Sequence, residues 1–250
     1  HCFGQLAEVH ALIQSGYSTG LVADVNEIVD DMALVKPTIF FAVPRVYNRI
    51  YDRLNTQIRE KPTVIQNLFK AGLNRAKRER EGETLGFLDS LILTLARKII
   101  FRKILDRFGG RLRLAVSGAS ALSSEVAEFV NDLGIMVLEA YGLSENAAAL
   151  TGNLPHARKF GSVGRPFPGV RIEIDRGVEG SKEEDGEVVA YGENIMKGYQ
   201  NLPEETQKTL NKDHGLRTGD LGHLDDDGFL YITGRVKEQY KLENGKYVAP

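Results

Sequence analysis

Residues 112 to 145 constrain the fold of this chain more than any other stretch. "LRLAVSG" is a short apolar run that reads as a strand and empties into a loop of small side chains, "SGASA". "SSEVAEFVNDLG" then reads as a helix. It has serine at its start, Val126, Phe129, Val130 and Leu133 on one face, and Gly134 to end it. "IMVL" (135–138) is the next strand, followed by "EAYGLSE" (139–145). Strand, helix, strand in one sheet is a crossover unit, and such units are right-handed with parallel strands. The loops 117–121 and 139–145 then both follow the carboxyl ends of strands, the edge at which open α/β sheets bind ligands. Glu139 and Glu145 interrupt the small residues of the second loop. Small neighbours admit a close backbone approach, and a charge placed among them needs a partner.

The segment before this unit has the same rhythm. Ile28, Val29, Met32 and Val35 have helical spacing, with Asp24 as the expected N-cap and Pro37 as the stop. "TIFFAV" (38–43) reads as a buried strand between two prolines, and Tyr47, Tyr51, Leu54 and Ile58 restart a helix. Residues 55–108 read as helical throughout, with "RAKREREGE" (75–83) as a solvated helix end or loop. Leu88, Leu91, Ile92, Leu95, Ile99 and Leu105 form an apolar stripe among basic residues. Packing on its own domain is the first reading of that stripe. A peripheral contact with anionic lipid is the second.

The pattern changes after residue 155. "GVRIEID", "GEVVAYG" and "GFLYITGR" are short strands bounded by Gly and Asp, and "DDDG" (225–228) is a hairpin turn, lacking the spacing of a calcium loop. The sequence therefore predicts an α/β class: a parallel sheet flanked by helices over 1–154, with a helical insertion at about 55–108, then an antiparallel sheet or small barrel over 155–236.

Bulk properties exclude several functions. The formal net charge is −2, which gives no global basic field for nucleic acid. The one cysteine, Cys2, excludes an intramolecular disulfide and suits a reducing, cytoplasmic setting. The most apolar stretch, 85–108, is broken by Asp89, Arg97, Lys98, Arg102 and Lys103 and is too charged to span a bilayer. The five histidines have no zinc spacing.

Five motifs stand in order along the chain: "AYGLSE" (140–145), "GSVGRPFPG" (161–169), "GEVVAYGENIMKGYQNLPEET" (186–206), "RTGDLGHLDDDGFLYITGR" (217–235) and "VKEQYKLENGKYVAP" (236–250). Together they resemble the adenylate-forming, AMP-binding enzymes. "KPTIFFAVPRVYNRIYD" (36–52) and the helical insertion before "GGRLRLAVSGASAL" resemble the long-chain fatty acyl-CoA synthetase branch. Three positions depart from that branch: Ser144 stands for threonine, Ala121 for proline and Gly234 for aspartate.

The resemblance implies the central portion of a large N-terminal domain, with 237–250 as the hinge and start of a small C-terminal domain. It implies ATP, magnesium, coenzyme A and a fatty acid as ligands, and a two-step ligase reaction through an acyl-adenylate. Its phosphate-gripping loop would lie before His1 and its catalytic lysine after Pro250, so residues 1–250 alone are expected to be inactive. By the same resemblance Glu145 would hold magnesium, Ser144 the α-phosphate and Tyr141 the adenine, with Gly142 beside it. Ser117, Gly118 and Ala119 would let backbone approach the adenine. Asp220 would accept from the ribose hydroxyls, and Arg235 would reach ribose or phosphate. Lys237 would be the hinge, Lys241 and Lys246 would meet phosphate or coenzyme A, and His1 would line the substrate pocket. Without the resemblance these residues read as helix starts, turns, a core tyrosine and surface lysines. A ligase for another carboxylic acid or for an acyl-carrier protein, and a non-catalytic nucleotide-binding homologue, are the alternatives.

Overall fold

The computed structural model describes residues 4–22, 24, 26–178, 184–236, 240–241 and 247–248. The chain divides into two compact units, Leu12–Leu138 and His1–Ala11 with Glu139–Pro250. The expected class, helices around a parallel pairing followed by an antiparallel sheet, is the one observed.

In the first unit, Glu27 rather than Asp24 stands at the N-cap position of α1 (Ile28–Val35), with no capping hydrogen bond from its side chain. Asp24 instead accepts the Asn26 N–H at 2.8 Å, and its carbonyl accepts the Glu27 N–H, so it starts the turn that precedes the helix. Lys36 ends α1 in a left-handed conformation, φ 52°. Strand β1 (Ile39–Ala42) runs parallel to β2 (Leu114–Ser117), with Ile39 opposite Leu114 and Ala42 opposite Ser117. The expectation of a buried β1 fails: Ile39 is 43% exposed, and among the described strands β1 lies at the edge of its sheet.

Helix α2 (Pro44–Arg59) opens on a proline, whose fixed φ suits the first helical position. Its Tyr47 hydroxyl donates to the carbonyls of Phe40 and Val116 at 3.3 and 3.0 Å, which pins the helix across both strands. Three further helices form the insertion: α3 (Thr63–Arg80), α4 (Phe87–Ala96) and α5 (Arg102–Arg107). Residues 60–62 and 81–86 interrupt the helical run expected over 55–108, whereas α4 passes into α5 through a π-helical turn, Arg97–Phe101. Gly72 lets α3 meet α4 closely, since a Cβ there would lie 2.4 Å from that of Ala96.

The "RAKREREGE" segment is not simply a solvated end. Arg75 and Arg78 each hold Asp89 at 2.8 Å, and Arg80 holds Asp132 and Glu128 at 2.8 Å. The Asp89 contacts fix the rotation of α4. Leu93, Ala96, Ile100 and Ile104 face inward, whereas Phe87 is 84% and Leu88 70% exposed, with Leu91, Leu95 and Ile99 exposed as well. The apolar stripe thus divides, one part packed and one part facing out. No helix among the described residues is long and apolar enough to cross a membrane.

Helix α6 (Ser124–Asp132) is capped as expected, the Ser123 hydroxyl accepting the Val126 N–H at 3.4 Å. Strand β3 (Met136–Tyr141) follows beside β2, with the Met136 N–H on the Arg113 carbonyl at 2.9 Å. It extends three residues past the expected "IMVL", so Glu139, Ala140 and Tyr141 are strand residues, not loop.

In the second unit the end of β3 pairs antiparallel with β4 (Thr151–Gly152), and β4 with β5 (Arg165–Pro166). An open antiparallel sheet of four strands, β6 (Arg171–Asp175), β7 (Gly186–Tyr191), β8 (Leu216–Leu224) and β9 (Leu230–Arg235), carries the core. It is a sheet rather than a barrel, and β8 is a strand that sequence pattern alone did not separate from the turn after it. Leu150, Val188, Ala190, Leu216 and Leu230 are fully or nearly fully buried at its centre. Arg217 ties three strands, reaching Asp175 on β6 at 2.7 Å and Glu187 on β7 at 2.5 Å. The "DDDG" turn forms as expected, with the Gly228 N–H on the Asp225 carbonyl at 2.9 Å. Helix α7 (Pro203–Thr209) lies between β7 and β8 in sequence, and β10 (Tyr240–Lys241) pairs with β11 (Tyr247–Val248).

Candidate functional site

Two polar groupings stand out in the second unit, and both contain residues singled out in the sequence. The first is built on three strands. Tyr141 closes β3, Asp220 is mid-strand on β8, and Arg235 closes β9 directly opposite Asp220. The Tyr141 hydroxyl donates to Asp220 Oδ2 at 2.7 Å, and Arg235 Nε donates to Oδ1 at 2.8 Å. Asp220 is 6% exposed, and its own N–H donates to the Thr218 hydroxyl at 3.1 Å. A buried carboxylate with a neutral donor on one oxygen and a cation on the other is held in one orientation. Each oxygen retains a second lone pair that a ligand hydroxyl can reach. Burial, followed by the charge of Asp220, raises the Tyr141 phenol well above its ordinary pKa, so it remains a donor.

The second grouping is the turn after β3. Gly142 begins it, and a Cβ there would lie 2.2 Å from the Ala148 carbonyl oxygen, so only glycine fits. Ser144 is exposed and opens one tight turn, Ser144–Asn146. Asn146 is fully buried and its Oδ1 accepts the Leu143 N–H at 2.6 Å. The chain then passes through two left-handed alanines, Ala147 at φ 57° and Ala148 at φ 87°, a conformation costly for residues with a Cβ. Glu145 is partly exposed, and its Oε1 accepts the Tyr199 hydroxyl at 2.8 Å. Burial first, then this bond, raises the Tyr199 phenol above its usual pKa.

Ser117, Gly118 and Ala119 belong to the first unit. Ser117 is the last residue of β2 and is buried, with no partner for its hydroxyl among the described residues. Ala119 is exposed and left-handed at φ 73°. His1, Lys237 and Lys246 lie outside the described residues, and Lys241 is placed only as a residue of β10. Sequence reasoning did not single out Tyr199, Asn194, Thr218 or Arg217. The first two stand inside the quoted motif "GEVVAYGENIMKGYQNLPEET" and the last two open "RTGDLGHLDDDGFLYITGR", where their presence in an ordered motif was the available signal.

No group of three or more His, Cys, Asp or Glu suited to a metal occurs among the described residues. A lone carboxylate such as Glu145 fits a magnesium ion that also draws on substrate phosphate oxygens, since that ion commonly takes one or two carboxylates plus phosphates.

Comparisons with known proteins bear on the family and the fold. The family model described as AMP-binding enzyme matches residues 1–200. The chain is 34% identical over 98% of its length to "Long chain acyl-CoA synthetase 7, peroxisomal" of Arabidopsis thaliana, and 33% identical over 100% to "Long-chain-fatty-acid--CoA ligase 1" of Homo sapiens. It spans 35% of each of those relatives. Among solved structures, it resembles o-succinylbenzoate CoA synthetase of Bacillus subtilis with its acyl-adenylate intermediate, at TM-score 0.68, 20% identity and coverage of 100% of this chain and 42% of that one. ATP-bound MatB from Rhodopseudomonas palustris is similar at TM-score 0.67, 24% identity and coverage of 100% and 41%. With four-fifths of its length matched by one family model, the chain belongs to the AMP-binding enzyme family.

Proposed function

We propose that this chain is part of a long-chain fatty acid CoA ligase, in which a fatty carboxylate attacks the α-phosphorus of ATP and pyrophosphate leaves. The thiol of coenzyme A then attacks the acyl carbonyl and AMP leaves. The observation that carries the reading is the pair of groupings on adjoining secondary structure: a doubly held Asp220 suited to a ribose diol, and a buttressed, partly exposed Glu145. The fatty acid is taken from the curated relatives, which are long-chain synthetases by name.

In this reading Asp220 accepts from the ribose hydroxyls while Tyr141 and Arg235 fix the orientation of its carboxylate. Tyr141, fixed at its hydroxyl end, presents its ring to adenine, and Gly142 and exposed Ser144 leave room for phosphate. Glu145 would hold magnesium, which when bound offsets charge gathering on the phosphates. Ser117, Gly118 and Ala119 would pass backbone beside the base, and Lys237 would be the hinge of a further domain. Lys241 and Lys246 would meet phosphate or coenzyme A, and His1 the acid. The outward apolar face of α4, with Lys98, Arg102 and Lys103 beside it, suits an anionic lipid surface from which a fatty acid could be drawn.

Glu145→Ala in the full-length protein tests the reading. Adenylation should fall by at least ~100-fold, in line with the loss of a group that stabilises developing charge, with the fold retained. Parallel loss of adenylation and fold would make Glu145 a structural residue instead.

A further inference from the structure

We infer that Tyr199 is a positioning residue for Glu145, and that the segment 194–199 exists to hold that carboxylate. The inference rests on the proposed role of Glu145 and extends it to a residue outside the motif core. Four contacts run from this segment to the strained turn. The Asn194 side-chain amide donates to the carbonyls of Asn146 and Ala149 at 3.2 and 3.1 Å. The Met196 N–H donates to the Glu145 carbonyl at 2.7 Å. The Tyr199 hydroxyl donates to the Glu145 carboxylate at 2.8 Å. The main chain of Glu145 is therefore fixed by one residue of the segment and its side chain by another.

Tyr199 is itself seated. Its N–H donates to the Thr206 hydroxyl at 2.9 Å, and that hydroxyl donates to the Leu202 carbonyl at 3.0 Å, within the first turns of α7. Gly198 permits this approach, since a Cβ there would come within 2.7 Å of the Thr206 side chain. The phenol stands on a rigid chain of contacts leading back to a helix.

The choice of donor has chemical consequences. A phenol is neutral, so it orients the carboxylate without cancelling the charge that a cation needs, as lysine or arginine would. It takes one lone pair of Oε1 and so fixes the orientation of the carboxylate that would hold a cation. A left-handed pair of alanines beside it stores strain that a turn serving only to connect strands would have no cause to keep.

The test is a titration of the full-length protein with Mn²⁺ as the probe ion, in the presence of α,β-methylene-ATP, following free Mn²⁺ by electron paramagnetic resonance. Tyr199→Phe is expected to weaken Mn²⁺ binding by about 10-fold, the range typical of residues that orient a metal ligand. Its thermal midpoint should stay near that of the parent. In the Glu145→Ala background, Tyr199→Phe should have no further effect, because there is no carboxylate left to orient. Unchanged Mn²⁺ affinity in Tyr199→Phe, with Glu145→Ala clearly weakened, would overturn the inference and leave the reading of Glu145 standing. An equal loss from Tyr199→Phe in both backgrounds would show that it acts through the fold, which also overturns it. If Glu145→Ala itself binds Mn²⁺ like the parent, both fall.

Discussion

Tyr141 and Asp220 lie 79 positions apart in sequence, yet the tyrosine hydroxyl sits 2.7 Å from the aspartate Oδ2, inside the second unit. Arg235 takes the other oxygen. The carboxylate, mid-strand on β8, is thus shared by the ends of β3 and β9, and its removal should be felt twice. Asp220→Ala is predicted to weaken AMP binding by ~10- to 100-fold and to cost about 1–3 kcal/mol of stability, because a buried phenol loses its acceptor. Calorimetric titration with AMP and a thermal melt check both. Tyr141→Phe removes one bond to a buried carboxylate and should cost about 1.5–3 kcal/mol in stability.

The turn after β3 makes two opposite predictions. Gly142→Ala places a Cβ against the Ala148 carbonyl and should lower both stability and nucleotide binding. Ala148→Gly relieves a left-handed alanine at φ 87° and should stabilise the protein by about 1 kcal/mol. Denaturant unfolding of the two variants separates them by sign.

Arg217 should show in the acid limb of stability. Its guanidinium, with help from the Gly177 N–H, holds the Asp175 carboxyl below its ordinary pKa. A carboxylate depressed in the fold contributes stability that is complete above the unfolded pKa of about 3.9 and is lost as pH falls through the lower, folded value. Arg217→Met should therefore lower the thermal midpoint at neutral pH and flatten its decline below about pH 4. Melts of parent and variant from pH 7 to pH 3 test this, and parallel curves would refute it.

The outward face of α4 should matter for lipid and not for folding. Leu91→Ser with Leu95→Ser removes exposed apolar side chains. It should reduce co-sedimentation of the full-length protein with anionic vesicles several-fold, with little effect on zwitterionic ones, and leave the melt unchanged. A lowered melting point would mean that protein, not lipid, covers this face.

Much of the fold is legible in the sequence because local and tertiary preferences agree. The helix Ser124–Asp132 has its serine cap, its apolar face and Gly134 at φ 106° all where the pattern places them. Other features depend on partners distant in sequence. Strand β3 continues through Glu139–Tyr141 because β4 pairs with its end, which the apolar run "IMVL" alone does not reveal. "RTGDLGHL" has two glycines and two charges at strand positions, and it is a strand because β7 and β9 flank it. Tyr199 needed the fold as well, since nothing in the spacing of Glu145 and Tyr199 predicts that they meet.

The central claim is adenylation of a long-chain acid, and ATP–pyrophosphate exchange by the full-length protein measures it most directly. With acids from acetate to stearate, plus aromatic and amino acids, the account predicts exchange that rises with chain length, depends on magnesium and is lost in Glu145→Ala. Exchange greatest with a short, aromatic or amino acid would contradict the long-chain assignment. No exchange with any acid, from folded protein that binds ATP, would contradict the ligase reading itself.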